Sequence, residues 1–107
     1  MRSPRAHVTP WEGTTLPTEE ELRARFAREG LSPYRWGNAP GDVYGVHAHP
    51  YHKVIYVVRG SITFHLPETG EDLTLRAGDR LDLPAGIRHA ATVGPDGVVC
   101  LEGHRRE

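Results

Sequence analysis

Apolar and polar residues alternate with a period of two along most of the chain after Leu31, the pattern of half-buried β-strands. The clearest stretch is Ser61-Ile62-Thr63-Phe64-His65-Leu66, which predicts Ile62, Phe64 and Leu66 inward and His65 at the surface. Leu73 with Leu75, and Leu81 with Leu83, repeat the spacing and place Arg80 and Asp82 outward. Tyr34 to Trp36, Val43 to His47, His89 to Val93 and Val98 to Leu101 complete the strand set, with a loop from Gly37 to Asp42. The stretch from Val54 to Val58 is different. It is apolar at every position, so it reads as a buried strand whose inward parity is not apparent. Turn residues punctuate these runs at Arg59-Gly60, Pro67 to Gly70, Arg76 to Asp79, Pro84 to Gly86 and Gly94 to Gly97. About eight short strands at this spacing predict a sandwich or barrel.

One helix precedes the strands. Thr18 is placed as its N-cap, Glu21 closes a capping box, and Glu19, Glu20 and Glu21 suit the positive end of the helix dipole. Leu22 and Phe26 lie four apart on one face, Gly30 is placed to stop the helix, and Arg23, Arg25 and Arg28 form a solvated face. Residues 1–17 read as an irregular arm with an exposed His7 and with Trp11 positioned to wrap the domain or a partner. His104 to Glu107 reads as a polar tail.

Composition narrows the function classes. At 107 residues, with 37% hydrophobic and 25% charged residues, the chain fits one small folded domain. A net charge of −1, with scattered arginines, argues against nucleic acid as a partner. A single cysteine, Cys100, excludes an internal disulfide framework and reads as a buried thiol. No apolar run reaches transmembrane length and MRSPRAHVTP lacks a signal-peptide core, so a cytoplasmic protein without membrane association is expected.

The chemistry concentrates between Gly41 and Gly60. Three of the seven histidines, His47, His49 and His52, lie within six residues, beside Lys53, the only lysine. His47 and His49 flank one residue, so on a strand both imidazoles project from one face as half of a metal-binding tripod.

Two longer spacings stand out along the chain. Gly41 is followed after five residues by His47, then by His49, Lys53 and Gly60; Gly78 is followed after five residues by Pro84-Ala85-Gly86, then by His89. Together these stretches resemble the two motifs of the cupin superfamily over about residues 41–93. The resemblance implies a mainly β fold, a small double-stranded β-helix of jelly-roll type, here with one short N-terminal helix. The expected division is an arm and helix over 1–31 and a barrel over 32–104. It also implies that His47, His49 and His89 surround one divalent transition metal inside the barrel mouth. Zinc, iron, manganese, nickel and copper all suit imidazole.

Two positions depart from the family pattern. Lys53 stands where a glutamate ligand is usual, and Val93 where an asparagine is frequent. A bulge near Pro50 would turn His52 inward as a replacement fourth ligand. Tyr44, Tyr56 and Phe64 are expected as barrel lining or core. Lys53, Tyr56 and Arg88 are the candidates for substrate contact, because a cation beside a metal favours an anionic group.

These residues support a metal-dependent protein, dioxygenase-like or isomerase-like if catalytic, that acts on or binds a small anionic or chelating metabolite. The alternatives are a non-catalytic module binding a small molecule or metal, and a metal-free isomerase or epimerase using a histidine base. Protection of strand edges further predicts a homodimer.

Overall fold

What covers the apolar run at Val54 to Val57 explains why it shows no alternation. The computed structural model describes residues 5–105; the ends of the expected arm (residues 1–4) and tail (Arg106 and Glu107) lie outside them. The elements run β1 (His7–Thr9), α1 (Glu19–Arg28), β2 (Tyr34–Asn38), β3 (Val43–His47), β4 (His52–Leu66), β5 (Glu71–Arg76), β6 (Arg80–Leu83) and β7 (His89–Arg105). Ile55 and Val57 point into the barrel core with Ile62, Phe64, Leu75, Leu81, Leu83 and Cys100. Val54 and Tyr56 point the other way, into a second cluster with Leu22 and Phe26 of α1 and with Leu101. Both faces of this segment are dry, one against the core and one against the helix.

The helix forms as its sequence predicts. The Thr18 hydroxyl oxygen accepts from the Glu21 amide at 3.1 Å, while Glu21 Oε1 accepts from the Thr18 amide at 3.0 Å, completing the capping box. Gly30 follows at φ +72°, a conformation that favours glycine and lets the chain leave the helix.

All strand pairing is antiparallel, and the strands form a mainly β jelly-roll of double-stranded β-helix type. Two long strands carry it. The first half of β4 pairs with β6 and with the C-terminal half of β7, and its second half pairs with β5 and with the N-terminal half of β7. The expected chain reversals at Arg59-Gly60 and Gly94 to Gly97 are therefore corrected to bends within continuous strands. Their register shifts lie between Val57 and Arg59 and between Gly60 and Ile62. Gly60 sits at φ +79°, and a Cβ there would lie 2.0 Å from the Gly97 carbonyl oxygen. Two glycines meeting back to back allow the paired strands to fold over together.

The arm also differs from its expected irregular form. His7–Thr9 adds β1 to the sheet against β6, and the Trp11 amide donates to Asp79 Oδ1 at 2.9 Å. Arg25 of α1 stands over the Trp11 ring at 5.1 Å. The arm thus extends the sheet beside β6, and the helix covers the outer face of β4 and β7. Arg80 and Asp82 are consequently not solvated as alternation predicted: Asp82 is buried and Arg80 half-buried. The expected tail is also partly strand, because β7 continues through His104 and Arg105 opposite Lys53 and His52.

Candidate metal centre and ligand pocket

The end of β3, the loop after it and the start of β7 bring three imidazoles together. His47 and His89 are cross-strand partners, and their ring centroids lie 4.3 Å apart. His49 follows two residues after His47, with its ring 4.8 Å from His47 and 5.5 Å from His89. One nitrogen from each of the three rings lies within 4.8 Å of the others, the single such group of potential metal ligands among the described residues.

The hydrogen bonds at the back of the rings determine which nitrogen faces the centre. His47 Nδ1 lies 2.7 Å from the Gly45 carbonyl oxygen and His89 Nδ1 lies 2.9 Å from that of Ile87. A carbonyl only accepts, so each Nδ1 carries the proton and each neutral ring keeps an Nε2 lone pair free. His49 Nδ1 lies 3.2 Å from the Tyr51 hydroxyl. Its Nε2 is buried and has no hydrogen-bond partner. A buried ring nitrogen left without a partner is costly in a folded protein unless something binds it.

Burial pushes the His49 imidazole down to about 4, assisted by the charge of Lys53 and by the neighbouring His47 and His89. Burial likewise lowers His89, against the raising effect of its hydrogen bond to Ile87. Both rings are therefore held neutral, the form that ligates a metal.

The cluster opens into a cavity of about 340 Å³, whose lining includes Lys53, Ile55, Phe64 and Glu102. Lys53 shares its inward direction with Ile55, two residues on, and its Nζ lies 3.3 Å from Glu102 Oε2. Glu102 is 2% exposed and is the most densely bonded carboxylate of the pocket. It accepts from the Tyr34 hydroxyl at 2.7 Å, Trp36 Nε1 at 3.0 Å and His104 Nε2 at 2.5 Å. Burial alone would raise its pKa, but the His104 hydrogen bond, the Lys53 charge and the Tyr34 hydroxyl together hold it below the usual carboxylate range. The ammonium of Lys53 is thus answered by an anion, which reduces its repulsion of a nearby dication.

Three of the expected site residues are placed elsewhere. His52 has the opposite parity to Lys53, so it faces the outer side of the sheet, where its Nε2 lies 3.1 Å from Asp82 Oδ1. No bulge turns it inward, and it is not brought to the imidazole cluster. Tyr56 shares that outer parity: its ring meets Phe26 edge-on at 5.3 Å, and its hydroxyl accepts from Arg80 at 3.3 Å. It therefore does not reach the cavity. Arg88 is exposed on the turn before β7 and is absent from the lining. Tyr44 and Phe64 do line the cavity.

The residues missed from sequence are Glu102, Tyr51, His104, Tyr34 and Trp36. A signal existed for two of them. Cys100, Glu102 and His104 share one parity, so the buried thiol places the other two on the inner face. Tyr51 gave no such signal. It lies in the loop and stacks between His49, at 5.2 Å, and His104, at 4.0 Å.

Residues 35–102 match a family model described as "Cupin domain". Among solved structures, an RmlC-like cupin from Shewanella frigidimarina NCIMB 400 is similar at 28% identity and a TM-score of 0.59, covering 69% of this chain and 64% of that one. KdgF from Halomonas sp. is similar at 28% identity and a TM-score of 0.59, covering 72% and 70% respectively. A protein of unknown function from Rhizobium leguminosarum bv. viciae 3841 reaches a TM-score of 0.65 at 17% identity, a likeness of fold alone, over 72% and 71% of the two chains. No curated protein matches the chain.

Proposed function

Because the chain belongs to the cupin family, matched over residues 35–102, we propose that it holds one divalent transition metal on His47, His49 and His89. The bound metal serves a small anionic or chelating metabolite. The observation that carries this reading is His49 Nε2: buried, unpartnered and facing two imidazoles whose Nδ1 protons are already committed to carbonyls. A metal held there supplies Lewis acidity at coordination positions that three nitrogen ligands leave open. The chain's own residues then bind and orient the ligand. Lys53 receives an anionic group while Glu102 fixes the ammonium, and Tyr51 braces His49 from behind. Phe64, Ile55 and Ile62 exclude water from one side of the cavity.

Two further features belong to this proposal. A homodimer is supported by the exposed apolar residues of β3, Val43 at 72% and Val46 at 50% exposure, on a strand that among the described residues pairs with β7 alone. A cytoplasmic setting is the second, where the buried thiol of Cys100 would stay reduced. Among the described residues no helix is long and apolar enough to cross a membrane.

Elemental analysis of protein purified without a histidine tag tests the metal assignment. The expected result is about one transition-metal equivalent per chain, as three convergent imidazoles would hold, and its loss in the His47→Ala/His49→Ala variant. A folded protein that stays metal-free after reconstitution would overturn it.

A further inference from the structure

The polar groups of the cavity are nearly all committed to one another, and this restricts what kind of ligand fits. The Tyr34 hydroxyl and the Trp36 indole N–H both donate to Glu102, at 2.7 and 3.0 Å. The Tyr44 hydroxyl donates to Asn38 Oδ1 at 2.5 Å. Glu102 itself accepts from these two aromatic donors, from His104 and from Lys53, which leaves it little capacity for a ligand. The donors left for a ligand are the N–H bonds of Lys53 not aimed at Glu102, and the acceptors are the Nε2 side of the imidazole cluster and the Tyr34 and Tyr44 hydroxyl oxygens. Ile55, Ile62, Phe64 and Ala91 make the apolar part of the lining.

Charge points the same way. Lys53 and Glu102 cancel, and an imidazole ligates a metal as a neutral group, so a dication on the cluster would bring a charge that no side chain in its ligand set offsets. An anionic oxygen on the ligand answers it. At about 340 Å³ the cavity lies at the small end of ligand sites, which run from roughly 300 to 1,000 Å³.

Resting on the metal-and-anion reading above, we propose that the ligand is a short carboxylate that chelates through an oxygen-bearing head and carries an apolar body, and is not a polyol or sugar acid. The head takes the cluster and Lys53, while the body lies against Ile62 and Phe64. Each additional hydroxyl on the body would lose its water to a wall with no free donor, and burial of an unpaired polar group is unfavourable.

Isothermal titration of the zinc-saturated protein with three six-carbon acids tests this. 2-Hydroxyhexanoate and gluconate share the same carboxylate and adjacent hydroxyl and differ only in the hydroxyls along the body; hexanoate lacks the chelating hydroxyl. The expected order is 2-hydroxyhexanoate tightest, by at least about tenfold over gluconate, given the cost of even one or two unpaired hydroxyls. The Lys53→Met variant is expected to weaken both hydroxy acids by a similar factor, since it removes a contact to the shared head. Gluconate binding as tightly as 2-hydroxyhexanoate, or more tightly, would overturn the apolar-body inference while leaving the metal-and-anion reading standing. Failure of all three acids to bind, with zinc at full occupancy, would overturn that underlying reading together with the inference.

Discussion

Two buried carboxylates lie on opposite sides of β4, built from the same ingredients and differing in what they leave unsatisfied. Outside the barrel, Asp82 accepts from Arg80 at 2.8 and 3.1 Å and has His52 Nε2 at 3.1 Å, while Arg80 also pairs with Glu29 of α1. Inside, Glu102 gathers Lys53, His104, Tyr34 and Trp36. Each is a carboxylate with a cation and an imidazole, and their hydrogen-bond partners hold both acids below the usual range against the raising effect of burial. The outer cluster is flanked by β1 and tied to the helix through Glu29, and its side chains are paired with one another. The inner one adjoins a cavity and an imidazole nitrogen with no partner. A buried polar network is therefore structural where it is closed, and becomes a candidate site where it leaves an atom unmatched.

The largest effect that would sharpen this contrast is removal of inner ligands. The His47→Ala/His49→Ala variant should lose metal affinity by more than about 100-fold, beyond what loss of an outer hydrogen-bond partner costs. Its metal-free form should stay folded and lose only the stability carried by the His47–Gly45 and His49–Tyr51 hydrogen bonds, about 1–3 kcal/mol together. Retained stoichiometric metal would remove the distinction between the two clusters.

The converse variant, Asp82→Ala, should cost about 2–4 kcal/mol in urea unfolding, because it strands a half-buried guanidinium and an imidazole while Glu29 retains part of the pairing. Metal stoichiometry should not change. Metal loss with stability intact would reverse the roles assigned to the two sides.

A smaller effect separates charge from shape at Glu102. Glu102→Gln leaves Lys53 unanswered beside the cluster and should weaken zinc affinity by about tenfold, in the range expected of residues supporting metal ligands. Adding Lys53→Met should restore it to within about threefold of the parent, because the pair is neutral when both are present and when both are absent. A double variant no better than Glu102→Gln would mean that Glu102 acts only as packing.

The smallest effect is a slope against pH. His49 is lowered to about 4 from an ordinary value of 6.5, so below 6.5 the unfolded chain takes up a proton that the folded chain refuses. Stability of the metal-free protein should therefore fall as pH drops from 6.5 toward 4 and gain no further loss from this group below that. His49→Gln, measured by denaturant unfolding at several pH values in chelator, should flatten that part of the curve. An unchanged slope would show that His49 is not the group responsible.

Much of the molecule was legible before any coordinates. The capping box at Thr18 and Glu21 is local, so residues three apart define it without reference to the rest of the chain. The convergence of His47, His49 and His89 was legible through the resemblance, because glycine and proline spacings mark where the chain bends and so which strand ends meet. The alternation of Ile62, Phe64 and Leu66 was legible because that part of β4 is dry on one face only.

Elsewhere the same reasoning had nothing to act on. In Val54 to Val57 both faces are buried, one by the core and one by Leu22 and Phe26 of a helix about 30 residues earlier. Polarity then carries no parity, and only the packed structure separates an inward Lys53 from an outward His52. The chain by itself determined the strand-rich fold and the capped helix, both encoded in short spacings, while the imidazole set followed from the cupin resemblance. Tertiary structure decided that Glu102 of β7 meets Lys53 of β4, that Asp82 is buried between β1 and β4, and that His49 Nε2 is left unpartnered. Those outcomes depend on register between distant strands, and a one-residue slip would exchange every inward side chain for an outward one.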